Sequence, residues 1–318
     1  MRKFLTLTAT AIILVGCSNA EADKTKAVDA VQSTVSVDAV QSTVSDASAG
    51  SDKTYKKVKK FDGAKLESIL AAQPEKAQAR YGARHPAQTL EFFGIKPGMA
   101  VGEALPGGGW YTKILVPYLG EEGKLVGIDY ALEMWPEFSF ANEKFIEGKK
   151  NWPAEFVSKA AEWAPADGAK ISATTFGTAA GENSGTLDAV LFVRAIHNLS
   201  RFESEGQYMT KALAATHDLL KTGGLVGVVQ HRAPDSAEDS WATGSAGYLK
   251  QANVVAAFDA AGFDFVKSSE INANPKDKPA GKDVVWRLAP TLGGSEETKA
   301  ARMAIGESDR MTLLFKKR

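Results

Sequence analysis

Short apolar runs alternate with amphipathic stretches through the larger, carboxyl-terminal part of the chain. Each run is short enough for one strand and is bounded by glycine, proline or acidic residues. The runs predict strands at 99–104, 124–128, 170–176, 188–196, 225–230, 263–268 and 311–316. Apolar residues at helical spacing predict helices at 110–119, 209–220 and 248–262. This alternation predicts an α/β fold in which a mostly parallel sheet is covered on both faces and a ligand crevice opens where the strand order reverses.

Two further segments flank the first strands. Leu66, Ile69 and Leu90 predict two helices before the first strand, with Pro86 at a helix start. After the second strand, residues 131–167 are rich in aromatic side chains and interrupted by prolines. We expect this segment to pack as a helical cover beside the second strand, with a substrate lid as the alternative.

Composition and charge narrow the class of protein. The chain has 318 residues, 44% of them hydrophobic and 24% charged, which is typical of a globular protein that can bury a core. Lys and Arg balance Asp and Glu at 38 each, so no overall charge attracts nucleic acid. The chain has one cysteine, so no intrachain disulfide can form.

The amino-terminal segment has the pattern of an exported, lipid-anchored protein. Arg2 and Lys3 precede an apolar stretch, residues 4–15, that is too short to span a bilayer. Residues 14–17 read LVGC and resemble the lipobox of bacterial lipoproteins. We therefore predict a signal peptide at 1–16, acylation of Cys17 and a location at the periplasmic face of the cell envelope. Ser18, in place of aspartate, favours the outer membrane.

A low-complexity segment separates the predicted anchor from the predicted domain. It is rich in Ala, Ser, Thr, Val and Asp, and the sequence VDAVQSTVS at 28–36 recurs unchanged at 37–45. One duplication without a buried face indicates a tether rather than a solenoid. We place the tether at 17–60 and the folded domain at 61–318.

A glycine turn follows the first predicted strand. The three glycines at 107–109 allow backbone conformations closed to other residues, and the next helix begins with free N–H groups. Asp129 ends the second strand about 20 residues later, where an acid can accept hydrogen bonds from a ribose. Thr112 stands where a dinucleotide fingerprint has its third glycine, and Trp110 crowds the turn. This turn therefore disfavours a nicotinamide or flavin dinucleotide.

The same stretch resembles the first motif of class I S-adenosylmethionine-dependent methyltransferases, acid-x-Gly-x-Gly-x-Gly. Glu103 is the acid, Leu105 replaces the first glycine, and Gly107 and Gly109 follow. The stretch at 217–229, HDLLKTGGLVGVV, is close to the turn before strand five in these enzymes.

The resemblance covers about 86–318. Similar methyltransferase-like lipoproteins also carry an Arg-x-Pro segment just before the first strand, here Arg84 to Pro86. It implies a Rossmann-like three-layer sandwich with a mostly parallel seven-stranded sheet and an antiparallel C-terminal strand. It also implies S-adenosyl-L-methionine as cofactor. The third strand departs from the family, since Phe176 stands where these enzymes often carry an acid. We place the cofactor contacts at Glu103, Gly107, Gly108, Gly109, Asp129 and Arg194.

Two of the four histidines follow strands that border the predicted crevice. His197 comes after strand four and His231 after strand five. Methyl transfer is an in-line displacement that needs a base only when the nucleophile carries a proton. We predict His197 as that base and His231, with Asn198 and Arg232, as groups that orient a small-molecule acceptor. The residue pattern predicts no metal site and no serine or cysteine nucleophile.

Three functions remain open from the sequence. The first is a methyltransferase supplied with exported donor, and the second is a retired methyltransferase fold that binds another small molecule. The third is a membrane-anchored interaction scaffold. The retained Glu103, Gly107 and Asp129 favour the first, whereas Leu105 and the predicted export favour the second.

Overall fold

A computed structural model describes residues 59–179, 181 and 183–318. The predicted signal peptide, Cys17 and nearly all of the predicted tether lie outside the described residues. None of the described helices is long and apolar enough to cross a membrane.

A seven-stranded sheet forms the centre of the domain, in the order β3-β2-β1-β4-β5-β7-β6. The strands are β1 Ala100–Ala104, β2 Lys124–Asp129, β3 Lys170–Thr175, β4 Leu187–Val193, β5 Leu220–His231, β6 Phe263–Ser269 and β7 Arg310–Lys317. Strand β7 runs antiparallel to its neighbours β5 and β6, and the other neighbouring strands pair in parallel. This topology confirms the predicted Rossmann-like class I methyltransferase fold.

Helices surround this sheet. They are α1 Gly63–Ala71, α2 Glu75–Gln78, α3 Tyr81–Arg84, α4 Pro86–Phe92, α5 Thr112–Leu119, α6 Glu143–Lys150, α7 Trp152–Ala161, α8 Ile196–Arg201, α9 Glu203–Gly206, α10 Tyr208–Leu219, α11 Gln251–Ala260 and α12 Lys299–Ile305. Short 3₁₀ helices lie at Leu132–Glu137, Val285–Arg287 and Glu296–Thr298.

Residues 59–99 form four short helices, so the prediction of two was wrong. Their dense turns account for the difference: His85 has a left-handed φ of 41° and ends α3, and Pro86 starts α4 at once. A left-handed residue at a helix end and proline at a helix start are both favourable there. These turns place Arg80 and Arg84 beside the end of β1.

Two apolar cores, one on each side of the sheet, explain why the strands read as continuous hydrophobic runs. Leu115 and Leu191 belong to one core, and Val190 and Phe192 belong to the other. The predicted fourth strand was three residues too long, since β4 ends at Val193 and Ile196 already starts α8.

The aromatic segment after β2 packs as the expected cover. Phe156 of α7 lies against Gly127 so closely that a side chain at that glycine would overlap its ring. Trp135 and Phe138 are buried and contact Tyr130 at the end of β2. The cover therefore fills the space above the carboxyl end of β2.

Candidate functional site

A cavity of about 620 Å³ opens at the carboxyl ends of β1 and β4. Strand order reverses at this pair, and ligands of open α/β sheets bind at such a point. The volume lies within the ordinary range for small-molecule sites, about 300–1,000 Å³. Among the lining residues are Lys76, Arg80, Arg84, Glu103, Leu105, Gly107, Gly108, Trp110, Tyr111, Lys113 and Arg194.

Two lining residues have backbone conformations that favour glycine. Leu105 after β1 has φ 51° and Arg194 after β4 has φ 59°. A non-glycine residue in the left-handed region costs on the order of 1 kcal/mol, and such residues concentrate at functional sites. Leu105 thus keeps the conformation expected of the motif's first glycine, although it is not one.

The three glycines of the turn serve different purposes. Gly107 has a left-handed φ of 55°. Gly108 is exposed, and a side chain there would meet no atom within 4 Å. Gly109 is buried, and a side chain there would overlap the indole of Trp163. Gly107 and Gly108 line the cavity, whereas packing against Trp163 accounts for Gly109.

Glu103 places a carboxyl group that titrates near neutral pH in the cavity wall. It is buried, and Thr112 Oγ1 at the start of α5 donates a hydrogen bond of 2.7 Å to its Oε2. Burial raises the pKa of Glu103 to about 7, although the bond from Thr112 opposes the shift. The side chain can therefore accept or release a proton in the physiological range.

Arginines from α3, the turn before it and β7 surround one carboxylate, that of Glu307. Arg80 donates from Nε and Nη2 to Oε1 at 2.8 and 2.6 Å. Arg310 Nη1 donates to Oε2 at 3.0 Å, and Arg84 Nε lies 3.3 Å from both oxygens. These three guanidinium groups share one negative charge.

Arg194 adds a fourth guanidinium group to this cluster. Burial lowers the pKa of Arg194 to about 10, with Glu307 opposing the shift. Burial also lowers the pKa of Arg84 to about 9, and Arg194 acts in the same direction. Both groups stay protonated at neutral pH, so the cavity wall is strongly cationic.

Asp129, predicted to bind a ribose, carries an ion pair. Lys149 Nζ of α6 lies 2.9 Å from Asp129 Oδ2, and the N–H of Tyr130 donates to Oδ1 at 2.9 Å. The same ammonium lies 3.9 Å from the centre of a Trp135 ring. Burial raises the pKa of Asp129 and Lys149 opposes this. Asp129 is buried and does not line the cavity.

His197 in α8 and His231 at the end of β5 lie together, with ring centres 5.6 Å apart. Both are buried, and neither lines the cavity. His197 Nδ1 lies 3.4 Å from Gln230 Oε1, and His231 Nδ1 lies 2.5 Å from Ser308 Oγ. Burial lowers the pKa of His197 to about 4 and that of His231 well below its usual value. Their catalytic roles stay predictions.

Asn198 and Arg232, also predicted to orient the acceptor, do not line this cavity. Asn198 donates to the hydroxyl of Tyr130 at 3.1 Å. Arg232 pairs with Glu270 and Asp309 beside a second, more open cavity. Within the described part of the chain, no three His, Cys, Asp or Glu side chains are grouped so that they could hold a metal ion.

Sequence reasoning missed the partners that define the site. The role of Arg84 was open, although the Arg-x-Pro segment marked its position. Glu307 is 227 residues from Arg80, in a stretch without clear periodicity, so no local signal connected them. Lys149 lies in the aromatic segment 131–167, and no sequence signal connected it with Asp129.

Comparisons with known proteins add a likeness of fold. No protein-family profile matches the chain, and no curated protein sequence matches it. A SAM-dependent methyltransferase from Aquifex aeolicus is 18% identical, with a TM-score of 0.42 over 81% of this chain and 100% of that chain. The 1,6-didemethyltoxoflavin-N1-methyltransferase of Burkholderia thailandensis is 12% identical, with a TM-score of 0.38 over 86% of this chain and 92% of that chain. The [4+2]-cyclase SpnF is 14% identical, with a TM-score of 0.46 over 74% and 81%. The chain is similar to these proteins in fold.

Proposed function

We propose that this protein is an S-adenosylmethionine-dependent methyltransferase that acts on a small-molecule acceptor. The observation that carries the proposal is the cavity at the reversal of strand order, which is lined by the glycine turn and Glu103. The left-handed Leu105 and Gly107 bend the chain away from β1. The open space at Gly108 leaves the main chain accessible to a ligand, so the turn fits the methionine part of the donor.

The donor supplies an activated methyl group, and the cavity's task is to hold two reactants in line. Glu103, Leu105 and Gly108 form one wall, and Arg194 forms another. Because Glu103 titrates near pH 7 and lines the cavity, it is a proton acceptor better placed than His197 for an acceptor bound there.

The Asp129 end fits the donor less well than the glycine turn does. A ribose that bound Asp129 would have to share or displace Lys149, which already pairs with the carboxylate. Lys149 lies in α6, a short helix without a fully buried residue. We therefore expect the donor's ribose to bind Asp129 only when Lys149 moves away.

A second candidate function is a retired methyltransferase fold that binds an anionic small molecule and transfers no methyl group. The ion pair between Asp129 and Lys149 favours this function, because a protein that does not bind the donor has no need of a free carboxylate for its ribose. The cationic wall around Arg84 and Arg194 suits either function.

The proposed setting is the periplasmic face of the outer membrane, with a lipid on Cys17 as anchor. The pattern LVGC after a basic start supports this part. Replacing Cys17→Ser should leave an unprocessed precursor or release the protein from the membrane fraction. Detergent partitioning and processing identical to those of the wild type would contradict the anchor.

The activity is tested with labelled donor and envelope extracts, following methyl groups transferred to small molecules. Gly108→Val should abolish transfer, because the new side chain would fill the open space through which the donor reaches the turn. The variant should still fold, because no atom of the protein lies within 4 Å of the added Cβ. Gly281→Val is a matched control, since Gly281 is also exposed with no atom near its missing side chain but lies outside the cavity. Absence of wild-type transfer despite donor binding would favour the retired fold.

A further inference from the structure

The charges around Glu307 do not balance. Arg80, Arg84 and Arg310 donate to its carboxylate. Arg194 lies close enough to lower the pKa of Arg84. Within the described chain, the Arg194 guanidinium has no hydrogen bond or ion pair of its own, so four cations meet one anion. Guanidinium groups removed from water without enough acceptors are costly, typically several kcal/mol per uncompensated charge.

Two buried donors in the cavity wall also lack acceptors in the part of the chain that is described. They are Arg84 Nη2 and Trp110 Nε1. The Arg84 guanidinium carbon lies 4.7 Å from the centre of a Trp110 ring. Buried N–H groups are almost always paired in native proteins, so two orphans on one cavity wall indicate an acceptor that the chain itself does not provide.

Glu103 is not that acceptor. Its carboxyl group already accepts the bond from Thr112, and burial favours its neutral form by raising the pKa to about 7. Lys76 and Lys113 also line the cavity, so the surroundings add positive charge.

We propose that Arg80, Arg84 and Arg194 form a binding site for an anionic group, a carboxylate or phosphate, carried by a small-molecule ligand. The planar guanidinium group presents paired N–H donors that match both anions, and Arg is favoured wherever such groups are recognised. The Arg80 side chain is 24% exposed, and Arg80 and Arg194 both line the cavity, so the site can be reached. The site does not depend on the methyltransferase proposal.

The test uses inorganic phosphate as probe and the purified full chain. Thermal unfolding is followed in phosphate and in chloride at equal ionic strength, and a Kd is taken from the dependence on phosphate concentration. The wild type should gain stability in phosphate. Arg194→Gln should weaken phosphate roughly tenfold to a hundredfold, because hydrogen bonds to charged groups are lost. The phosphate affinity of Arg194→Lys should lie between those of the wild type and Arg194→Gln, since lysine keeps the charge but lacks the paired N–H donors of a guanidinium group.

One readout separates an anion site from a structural arginine. In chloride, Arg194→Gln should unfold at a higher temperature than the wild type, because the variant removes the half-buried charge that repels Arg84. Arg201→Gln is the control: Arg201 is exposed and outside the cavity, and its loss should leave the phosphate response unchanged. Equal stability of the wild type in the two salts, or an undiminished phosphate response of Arg194→Gln, would overturn the proposal.

A second arm identifies the source of the anion. If the donor's own carboxylate occupies the site, S-adenosylmethionine should bind the wild type more tightly than 5′-methylthioadenosine, which lacks it, and Arg194→Gln should erase that difference. If the acceptor supplies the anion, phosphate should bind the donor-saturated protein as well as it binds the free one. Either result supports the anion site. A protein that binds phosphate but no adenosyl compound would refute the methyltransferase proposal alone.

Discussion

The two halves of the crevice at the carboxyl edge of the sheet differ in charge and in access. At β1 and β4 the edge holds an open cavity with uncompensated guanidinium groups. At β2, Asp129 is paired with Lys149 and lies beneath aromatic side chains. The half at β1 and β4, which we call the cationic half, therefore lacks an anion. The half at β2, which we call the closed half, has its charges paired without a ligand.

The comparison shows why a sequence motif and a formed site are different things. Both halves carry the residues that the motif asks for, Gly107 in one and Asp129 in the other. Only the first is accessible, because the cover after β2 brings its own cation to Asp129. A substitution in one half leaves the other half as a reference.

The largest expected effect comes from the carboxylate of the cationic half. Burial opposes the ionisation of Glu307, but Arg84, Arg310 and Arg80 hold its pKa below the ordinary value. Glu307→Gln should destabilise the fold by about 3–5 kcal/mol in chemical denaturation, since it leaves buried guanidinium groups without their anion. Phosphate should restore part of the loss. A change within the error of the measurement would show that the cluster is already solvated.

The histidines next to the cationic half should make stability depend on pH. Burial lowers the folded-state pKa of both, and Arg194 lowers each further. The unfolded chain therefore binds protons first, so this contribution is complete above about pH 6.5 and is lost as pH falls towards 4. For His197 it is on the order of 3 kcal/mol.

Chemical denaturation between pH 7 and 4 measures this effect. His197→Gln should make the free energy of unfolding depend less on pH, and its side chain can still hydrogen-bond with Gln230. A wild-type stability independent of pH over that interval would contradict the buried, neutral state of the histidines.

The smallest expected effect concerns the closed half. Lys149→Met leaves Asp129 unpaired, and we expect a loss of about 1–3 kcal/mol, less than for a fully buried pair because Lys149 is partly exposed. Lys149→Met combined with Asp129→Asn should recover most of the stability. The single variant should also bind adenosyl ligands more tightly if Lys149 competes with the ribose. Unchanged affinity with unchanged stability would show that the pair does not close this half.

Much of the fold could be predicted from sequence because its signals are local. Seven apolar runs predicted the seven strands, and the crevice lies where the predicted strand order placed it. The left-handed residues His85 and Arg194 could not be predicted, since neither is glycine. His85 ends α3, and Arg194 follows β4 within the stretch predicted as strand.

The site was harder to predict because it depends on long-range pairs. Glu307 meets Arg80 across most of the domain, and Lys149 meets Asp129 only once α6 has packed. Gly109 belongs to the ligand motif, and close packing against Trp163 also requires glycine there; its predicted cofactor contact stays a prediction.

Calorimetric titration with S-adenosylhomocysteine measures whether the cavity at the glycine turn binds an adenosyl ligand. Saturable one-to-one binding by the wild type and by Gly281→Val, with loss of binding in a folded Gly108→Val, is the predicted result. No saturable binding by the wild type at millimolar ligand, or equal binding by Gly108→Val, would contradict it.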